Sequence, residues 1–284
     1  MMKVLVNRLK AAYVSAYLTV ASLISAYAVW QLAEGSDALT WSGVLFSAAP
    51  MALVIGFLMV KPVMARTSAD LPEAHVPIAI GVALTAWGSS GDSWLPLSLA
   101  LISYVGFLLY VYWYSRYGRV KSEALTVGKP LPAFTLKDVN GDIIQSSELA
   151  GKPAVILFYR GNWCPLCMAQ IKEIAKQYQE LEALGAEVIM VSPQPHKYTR
   201  ELAEKFSVNF RFMTDKDNQA ARVLGIASEF GIPTGLEAMG YDTEAPMPTV
   251  IITDKQGTVV WTHETDNYRV RPEPETFLEV IRAI

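Results

Sequence analysis

Residues 154–167 read AVILFYRGNWCPLC, and this stretch decides the fold of the second half of the chain. The unbroken apolar run at 154–158 is typical of a strand that is covered on both faces of a sheet. A short polar turn follows, and then come the only two cysteines of the protein, Cys164 and Cys167. We therefore expect a buried strand that delivers a Cys-x-x-Cys pair to the start of a helix, which is an arrangement typical of dithiol and disulfide chemistry.

The residues around this stretch alternate between strand and helix patterns. After Pro165 apolar residues recur at helical spacing as far as Gly185, and a second buried strand is predicted at 187–192. Strand, helix and strand in this order form a right-handed parallel crossover. The fold class is thus an α/β domain with a mixed central sheet and helices on both faces. Further strands are predicted at 134–136, 143–144, 210–213, 249–253 and 259–262, and further helices at 200–206, 218–224 and 277–284.

The first 120 residues have the composition of a membrane segment. Runs 11–33, 39–60 and 95–114 have about 20 residues each, enough to cross a bilayer as helices, and a fourth run at 75–88 is shorter. None of these runs contains Asp, Glu, Lys or Arg, so we expect a packed anchor rather than an ion path. A cleaved signal peptide is the alternative for the first run, with Ala-Tyr-Ala at 26–28 as its cleavage motif. We predict a helical membrane domain at 1–120 and a soluble domain at 121–284.

The basic residues predict how the membrane segment is oriented, because basic connections stay on the cytoplasmic side. We expect all four runs to cross, which places both termini and the redox domain on the cytoplasmic side of a bacterial-type inner membrane. If 75–88 does not cross, the redox domain faces the periplasm or the exterior. The basic connections carry Lys3, Arg8 and Lys10, then Lys61 and Arg66, then Arg116, Arg119 and Lys121, whereas the other two carry Glu34, Asp37 and Asp92.

The position of the two cysteines predicts different roles for them. Cys164 falls at the first turn of a helix, where unpaired N–H groups and the helix dipole stabilise a thiolate. Pro165 suits the first helical position because no hydrogen bond is lost there. We therefore predict that Cys164 is the nucleophile and that Cys167, one turn later, is the resolving thiol. Arg160 is either a further thiolate-stabilising group or a solvated loop residue.

Two other uses of the cysteine pair fit the sequence less well. A zinc site would need two more ligands, but His196 and His263 lie far apart in the sequence and no second Cys-x-x-Cys exists, so no metal is expected. An inert buried pair would leave the flanking Trp163 and Pro165 unexplained. The net charge of −3 and the lack of basic runs argue against a nucleic-acid partner. We expect no organic cofactor.

Met247 and Pro248 stand directly before the predicted strand at 249–253. A proline that starts a buried strand must place its missing donor where no ladder bond is lost. A cis Met247–Pro248 bond would bring a backbone edge beside the dithiol and offer hydrogen-bonding groups to an extended substrate.

These residues resemble a known family. The stretch from Trp163 to Cys167 after a buried strand, with Pro248 before a late strand, resembles the thioredoxin-like superfamily, and this resemblance implies that Met247–Pro248 is cis. Residues 128–284 are similar to the alkyl hydroperoxide reductase and thiol-specific antioxidant group, in its peroxiredoxin-like branch. The stretches that carry the similarity are 134–136, 151–153, 159–165, 191–193 and 267–272.

The resemblance implies that Cys164 corresponds to the peroxidatic cysteine. Peroxiredoxins carry Thr or Ser three residues before that cysteine to orient the peroxide, but this chain has Gly161 there. Peroxide reduction is therefore less secure than dithiol exchange.

Taken together, the sequence predicts a membrane-anchored thiol oxidoreductase. It reduces a peroxide or a disulfide and is restored by an external thiol reductant of thioredoxin or glutathione type. The alternatives are disulfide exchange without peroxidase activity, and a redox sensor or assembly module without turnover. The oligomeric state stays open. The predicted site consists of Cys164 and Cys167, with Trp163, Pro165, Arg160, Met247 and Pro248 in substrate-binding or thiolate-stabilising roles.

Overall fold

The computed structural model describes residues 2–89 and 93–284, so Asp92 lies outside the described residues. The chain forms two compact units. One is helical and consists of the described residues of 12–61 and 67–116. The other contains the sheet and consists of 2–11, 62–66 and 117–284.

The helical unit is built from long apolar helices. In the described part of the chain, three helical stretches are long and apolar enough to cross a membrane: 2–33, 38–60 and 95–114. Helix α3 has 17 residues, at the short end of the range that spans a bilayer, so the four-span arrangement remains a prediction. The helices are α1 Met2–Ala33, α2 Ala38–Val60, α3 Pro72–Gly88 and α4 Leu95–Leu109, which a π-helical turn extends over Tyr110–Tyr114.

Small residues allow α2 and α3 to approach closely. A Cβ atom on Gly43 would lie 2.5 Å from Thr85 Oγ1 and 2.7 Å from Gly81 O. A Cβ atom on Gly81 would meet Ser47 Oγ at 2.6 Å. The backbones of α2 and α3 therefore touch where side chains are smallest, as membrane helices commonly do.

The sheet unit has the predicted α/β architecture, with a seven-stranded mixed sheet among its described residues. The strand order is β2-β1-β5-β4-β3-β8-β9; β3, β4 and β5 are parallel, and β8 runs antiparallel to β3. The strands are β1 Thr135–Lys137, β2 Ile143–Gln145, β3 Ala154–Phe158, β4 Glu187–Ser192, β5 Arg211–Thr214, β6 Ala227–Ser228, β7 Ala245–Pro246, β8 Thr249–Thr253 and β9 Val259–Glu264. The helices are α5 Pro165–Lys176, α6 Tyr178–Ala183, α7 His196–Lys205, α8 Gln219–Val223 and α9 Pro274–Arg282.

Strand β3 is the centre of the sheet. All five of its residues are buried, and it pairs with β4 on one side and β8 on the other. Its side chains Ile156 and Phe158 belong to the main apolar core together with Ile189 and Ile251. This burial on both faces explains the unbroken apolar sequence and fixes the point from which the cysteine loop leaves the sheet.

The structure differs from the predicted elements in two places. The helix predicted from Pro165 to Gly185 is broken at Gln177, where the backbone leaves helical geometry (φ −101°, ψ 7°). The break is at a tertiary contact, because the next residue, Tyr178, packs its ring edge-on against Phe210 with 5.3 Å between centroids. The short antiparallel pair of β6 and β7 was not predicted.

Candidate active site

Cys164 caps the N-terminus of α5 at the end of the loop that follows β3. Its backbone is extended (φ −87°, ψ 110°), its N–H donates to Gly161 O at 3.2 Å, and its carbonyl accepts from Met168 N at 3.1 Å. Pro165 holds the first helical position, as predicted. Cys164 is 2% exposed and Cys167, one turn into the helix, is 0% exposed. Both thiols are free, so the described state is the dithiol.

Arg271 contacts both sulfur atoms from the opposite side of the site. Its Nη1 and Nη2 lie 3.5 and 3.4 Å from Cys167 Sγ, and Nη2 lies 4.0 Å from Cys164 Sγ. Two further hydrogen bonds fix the guanidinium: Nη1 donates to Gln170 Oε1 at 2.9 Å, and Nε donates to Tyr268 O at 3.0 Å. A buried cation therefore stands within reach of both thiols.

Arg271 is presented by a tight turn after β9. Thr265 Oγ1 donates to Asn267 O at 2.7 Å, and the Asn267 side chain accepts from Arg269 N at 3.1 Å. Val270 N closes the turn by donating to Asn267 O at 2.9 Å. These short-range bonds hold the backbone on which Arg271 stands, so the position of its guanidinium is preorganised.

The arrangement places the negative charge of the singly ionised pair on Cys167. Burial alone would raise the pKa of Cys167, but the hydrogen bond from Cys164 and the charge of Arg271 outweigh it and hold that pKa well below its ordinary value. The hydrogen bond to Cys167, burial and the adjacent thiolate raise the pKa of Cys164. Both directions favour ionisation at Cys167, the sulfur that Arg271 Nη2 approaches to 3.4 Å.

Arg160 lies between two aromatic rings rather than in solvent. Its guanidinium carbon is 4.6 Å from the Trp163 ring centroid and 5.1 Å from that of Tyr268, and Nη2 donates to Gly231 O at 2.6 Å. Its charge also acts on Cys164, whose pKa it lowers as one of the smaller contributions. The solvated-loop interpretation of Arg160 therefore does not describe this structure, since the residue is buried.

A cover segment, residues 231–243, packs on the loop that carries Trp163. The indole lies against a small apolar cluster that includes Ile232, Tyr241 and Leu236. Tyr241 Oη donates to Asn162 Oδ1, while the Asn162 N–H donates to the buried Gln194 Oε1 at 2.8 Å. The loop between β3 and α5 is thus held from two sides, and the dithiol is closed off from solvent.

The expected cis bond at Met247–Pro248 is wrong. The described chain contains no cis peptide bond, and the trans form is the lower-energy state of an X–Pro bond by about 0.5–1 kcal/mol. The backbone groups there are already paired: Met247 N–H donates to Ile226 O at 2.8 Å, Met247 O accepts from Thr249 Oγ1 at 2.8 Å, and Pro248 O accepts from Arg119 Nη1 at 3.2 Å. The backbone groups of Met247 and Pro248 therefore bond within the protein, at the start of β8.

Two residues of the site were not among the predicted ones. Arg271 sits in the stretch 267–272 that carried the family resemblance, and a basic residue in such a stretch of a thiol protein is the signal that could have found it. Gln170 lies one turn beyond Cys167 on the buried face of α5, next to the apolar Ile171 and Ile174. A polar residue among apolar neighbours on a buried helix face indicates a buried hydrogen bond, which here is the one from Arg271.

Within residues 2–89 and 93–284, no three His, Cys, Asp or Glu side chains come together as a metal site requires.

The sheet unit matches known proteins over the same region. Residues 127–262 match the AhpC/TSA family. The putative peroxiredoxin bcp of Haemophilus influenzae is 26% identical over 160 residues, which are 56% of this chain and 98% of that protein. The thiol-disulfide oxidoreductase ResA of Bacillus subtilis is 30% identical over 139 residues, 49% of this chain and 67% of that protein. The chloroplastic peroxiredoxin Q of Sedum lineare is 31% identical over 119 residues, 42% of this chain and 64% of that protein.

Among solved structures, the crystal structure of peroxidoxin BcpB from Mycobacterium tuberculosis aligns with a TM-score of 0.46 at 20% identity, covering 56% of this chain and 98% of that one. The matched family region begins just before β1 and includes β3, the cysteine loop and most of the β8–β9 hairpin, while Arg271 lies beyond its end. Since a relative at 30% identity is covered over 67% of its length and the family match includes the dithiol, this chain belongs to the AhpC/TSA family.

Proposed function

We propose that this protein is a membrane-anchored thiol-dependent peroxidase whose reactive group is the Cys164–Cys167 dithiol. The single observation that carries the proposal is the contact of the buried Arg271 guanidinium with both sulfurs at the N-terminus of α5. A dithiol in which one thiol has a lowered pKa forms a thiolate more readily, and the thiolate is the form that attacks. An inert structural pair has no need of a buried cation.

Cys164 is the sulfur that attacks, because it caps the helix and is the less deeply buried of the two. The charge rests on Cys167 and returns to Cys164 by proton transfer along the hydrogen bond that joins the sulfurs. A new S–O bond forms as the O–O bond of a hydroperoxide breaks, and the departing oxygen takes a proton from solvent and leaves as water or an alcohol. Cys167 then attacks the sulfenic acid on Cys164, a disulfide forms and water leaves.

An external thiol of thioredoxin or glutathione type restores the dithiol in two exchange steps. The first step breaks the disulfide and makes a mixed disulfide with the reductant, and a second reductant thiol then releases the protein. The chain contains only these two cysteines, so the reducing equivalents come from another molecule.

Disulfide exchange without peroxidase activity is the second candidate, and one observation favours it. Position 161 is glycine, so the loop carries no hydroxyl at that point to orient a peroxide. The burial of both sulfurs favours the peroxidase instead, because a hydroperoxide requires a much smaller opening than a protein disulfide does. Among the relatives, ResA is named a thiol-disulfide oxidoreductase and the bcp protein a putative peroxiredoxin, so each candidate activity has a relative with a matching name.

The apolar helices support the proposal that the protein is anchored in a bilayer. We place the redox unit on the cytoplasmic side, because the basic residues around 61–66 and 116–121 match the basic N-terminus. This requires α3 to cross the membrane as the third span.

The test is turnover by the purified full-length chain. Hydrogen peroxide should be consumed in the presence of a thiol donor, and Cys164→Ser should abolish this consumption. Cys167→Ser should keep one round of reaction and leave a sulfenic acid on Cys164, which a dimedone adduct detects by mass spectrometry. If Cys164→Ser still forms a sulfenic acid on Cys167, the assignment of the attacking sulfur is reversed. If the wild-type chain exchanges disulfides but leaves peroxide untouched, the second candidate replaces the first.

A further inference from the structure

The indole of Trp163 carries a buried donor that the protein does not use. Trp163 Nε1 is shielded from solvent, and none of the described residues accepts a hydrogen bond from it. A buried N–H without an acceptor costs about 1–3 kcal/mol, so its retention calls for an explanation. The residue directly precedes Cys164, which makes a role at the dithiol the first one to consider.

The indole occupies the space that a side chain at position 161 would fill. A Cβ atom built on Gly161 would lie 2.7 Å from Trp163 Nε1 and 2.7 Å from its Cδ1. The φ of Gly161 is +145°, a value that residues with a Cβ rarely adopt. The loop therefore excludes any side chain at 161 and places the Trp163 N–H there.

Two groups fix the indole in this position. The apolar cluster with Ile232, Leu236 and Tyr241 holds its ring from one side. The guanidinium of Arg160 lies over the ring with its carbon 4.6 Å from the centroid. A cation over an aromatic face draws electron density from the ring, so the N–H at the ring edge becomes a stronger donor.

Peroxide reduction needs a hydrogen-bond donor for the oxygen that leaves. When an O–O bond breaks, negative charge develops on the departing oxygen, and a preorganised N–H lowers the barrier by stabilising it. The Nη atoms of Arg271 contact the sulfurs and Gln170, and its Nε is taken by Tyr268 O. The described contact of Arg160 Nη2 is with Gly231 O. Gln170 Nε2 and Trp163 Nε1 both lack an acceptor among the described residues, and Trp163 is the one directly adjacent to Cys164 in the chain.

We propose that the Nε1–H of Trp163 donates a hydrogen bond to the departing oxygen of a hydroperoxide during its attack by Cys164, in place of a hydroxyl in the loop. This inference rests on the proposed peroxidase function and names its specificity-determining residue. The indole keeps its proton throughout, since the departing oxygen is protonated from solvent.

The experiment compares two electrophiles on one variant. Trp163→Phe keeps an aromatic ring in the apolar cluster and removes the N–H. Reaction of the reduced full-length chain with hydrogen peroxide, followed by loss of free thiol under single-turnover conditions, should slow on the order of 10²-fold, as when one preorganised donor is removed. Reaction with oxidised glutathione should keep its rate, because the departing sulfur is a weak acceptor. Trp261→Phe on β9, which packs on Phe277 at 6.1 Å between centroids, is the matched control and should change neither rate.

The outcomes separate this inference from the function on which it rests. Equal losses with both electrophiles would assign Trp163 a purely structural role and overturn the inference, as would unchanged peroxide reactivity in Trp163→Phe. An unchanged pH dependence of the residual peroxide rate is expected, because the thiolate itself is not altered; a shifted profile would mean that the indole acts through the thiol instead. A wild-type chain that does not react with peroxide overturns the proposed function itself.

Discussion

Arg271 is the charged residue that contacts both sulfurs of the dithiol. Its guanidinium is buried, contacts both sulfurs, and is fixed by Gln170 and the Tyr268 carbonyl. A charge that is buried together with its partner acts through a low local dielectric, so its influence on the thiols is larger than that of a surface arginine. Arg271 lies beyond the end of the family match at 127–262.

Replacing Arg271 should move the reactivity of the dithiol to higher pH. In Arg271→Met the cation is lost while burial still disfavours the thiolate, so the pKa of Cys167 rises although the hydrogen bond from Cys164 remains. The rate of alkylation by iodoacetamide should then increase with pH around or above the ordinary thiol range of about 8.5, whereas the wild type should already be reactive below it. Arg271→Lys keeps the charge and should fall between the two. Coincident profiles for all three proteins would rule Arg271 out as the source of the low pKa.

The same low pKa makes the stability of the reduced protein depend on pH. The folded state has lost the Cys167 proton while the unfolded chain still holds it, at every pH between the folded pKa and about 8.5. The free energy of unfolding should therefore rise with pH across that window. Equivalently, this stabilisation is lost as the pH falls from about 8.5 through the folded pKa. Cys164 adds no slope there, since its pKa is raised and both states keep its proton. Thermal unfolding of the reduced chain at several pH values measures this, and Cys167→Ser, which lacks the thiol, should show no such rise.

At the scale of elements, the loop between β3 and α5 decides how the dithiol is presented. The strand ends at Phe158 and the helix begins at Pro165, so six residues turn the chain and hold Cys164 at the cap. Gly161 makes this turn possible through its positive φ, and Asn162 anchors it through Gln194. The backbone conformation of this loop therefore fixes the position of Cys164 at the start of α5.

A Cβ atom at position 161 should disrupt this loop. Gly161→Ala places that atom 2.7 Å from the indole of Trp163 in a backbone conformation that costs about 1–3 kcal/mol, so the free energy of unfolding should fall and the reaction with peroxide should slow. Gly185→Ala is the control: its φ is +74° but nothing lies within 4 Å, so it carries backbone strain alone. Urea unfolding of both variants gives the comparison. If Gly161→Ala loses no more stability than Gly185→Ala, the indole does not fill the space beside Gly161.

Elements that depend on local sequence patterns were predicted well, whereas features that depend on contacts between distant residues were not. The unbroken apolar runs at 154–158 and 187–192 gave β3 and β4 closely, because strands buried on both faces leave a strong local signal. The break at Gln177 was not predictable, since it depends on the contact of Tyr178 with Phe210. The placing of Cys164 at a helix start followed from local pattern, but Arg271 reaches the sulfurs across about a hundred residues of chain. Cis geometry at Pro248 was inferred from resemblance alone and was wrong.

At the scale of the whole molecule, the segment that leads into the sheet unit is part of its fold. Arg119 Nη2 pairs with Glu264 Oε2 at 2.9 Å, and the two side chains are 2% and 3% exposed. Glu264 also accepts from Ser122 N, and the Arg119 N–H donates to Asp266 Oδ1 at 2.8 Å. The segment 117–122 is thereby fixed to β9 and does not act as a free linker.

Breaking the buried pair should destabilise the sheet unit. Glu264→Gln leaves Arg119 buried without its countercharge, and such a loss typically costs about 3–5 kcal/mol. Glu180→Gln removes a carboxylate that pairs with Arg282 at 3.2 Å but with both side chains more than half exposed, and should change stability little. Unfolding followed by tryptophan fluorescence in detergent compares the two variants. A smaller loss in Glu264→Gln than in Glu180→Gln would mean that segment 117–122 is not held by this ion pair.

The proposed sidedness can be measured with cysteines placed at exposed positions, since the native pair is buried. In a Cys164→Ser/Cys167→Ser background, Glu34→Cys lies between α1 and α2, and Lys255→Cys lies in the turn between β8 and β9. With four spans, a membrane-impermeant maleimide added to intact cells should label the first and not the second. Labelling of both would mean that three helices cross and that the redox unit faces outward.

The hydrogen bond between the two sulfurs should protect Cys164 from irreversible oxidation at high oxidant levels. Cys167 already accepts a hydrogen bond from Cys164, so a sulfenic acid formed on Cys164 would meet its partner without any unwinding of α5. Condensation to the disulfide should then precede reaction with a second peroxide, so we expect no accumulation of the irreversible sulfinic acid. Repeated doses of oxidant should therefore exhaust its reductant before they inactivate the protein.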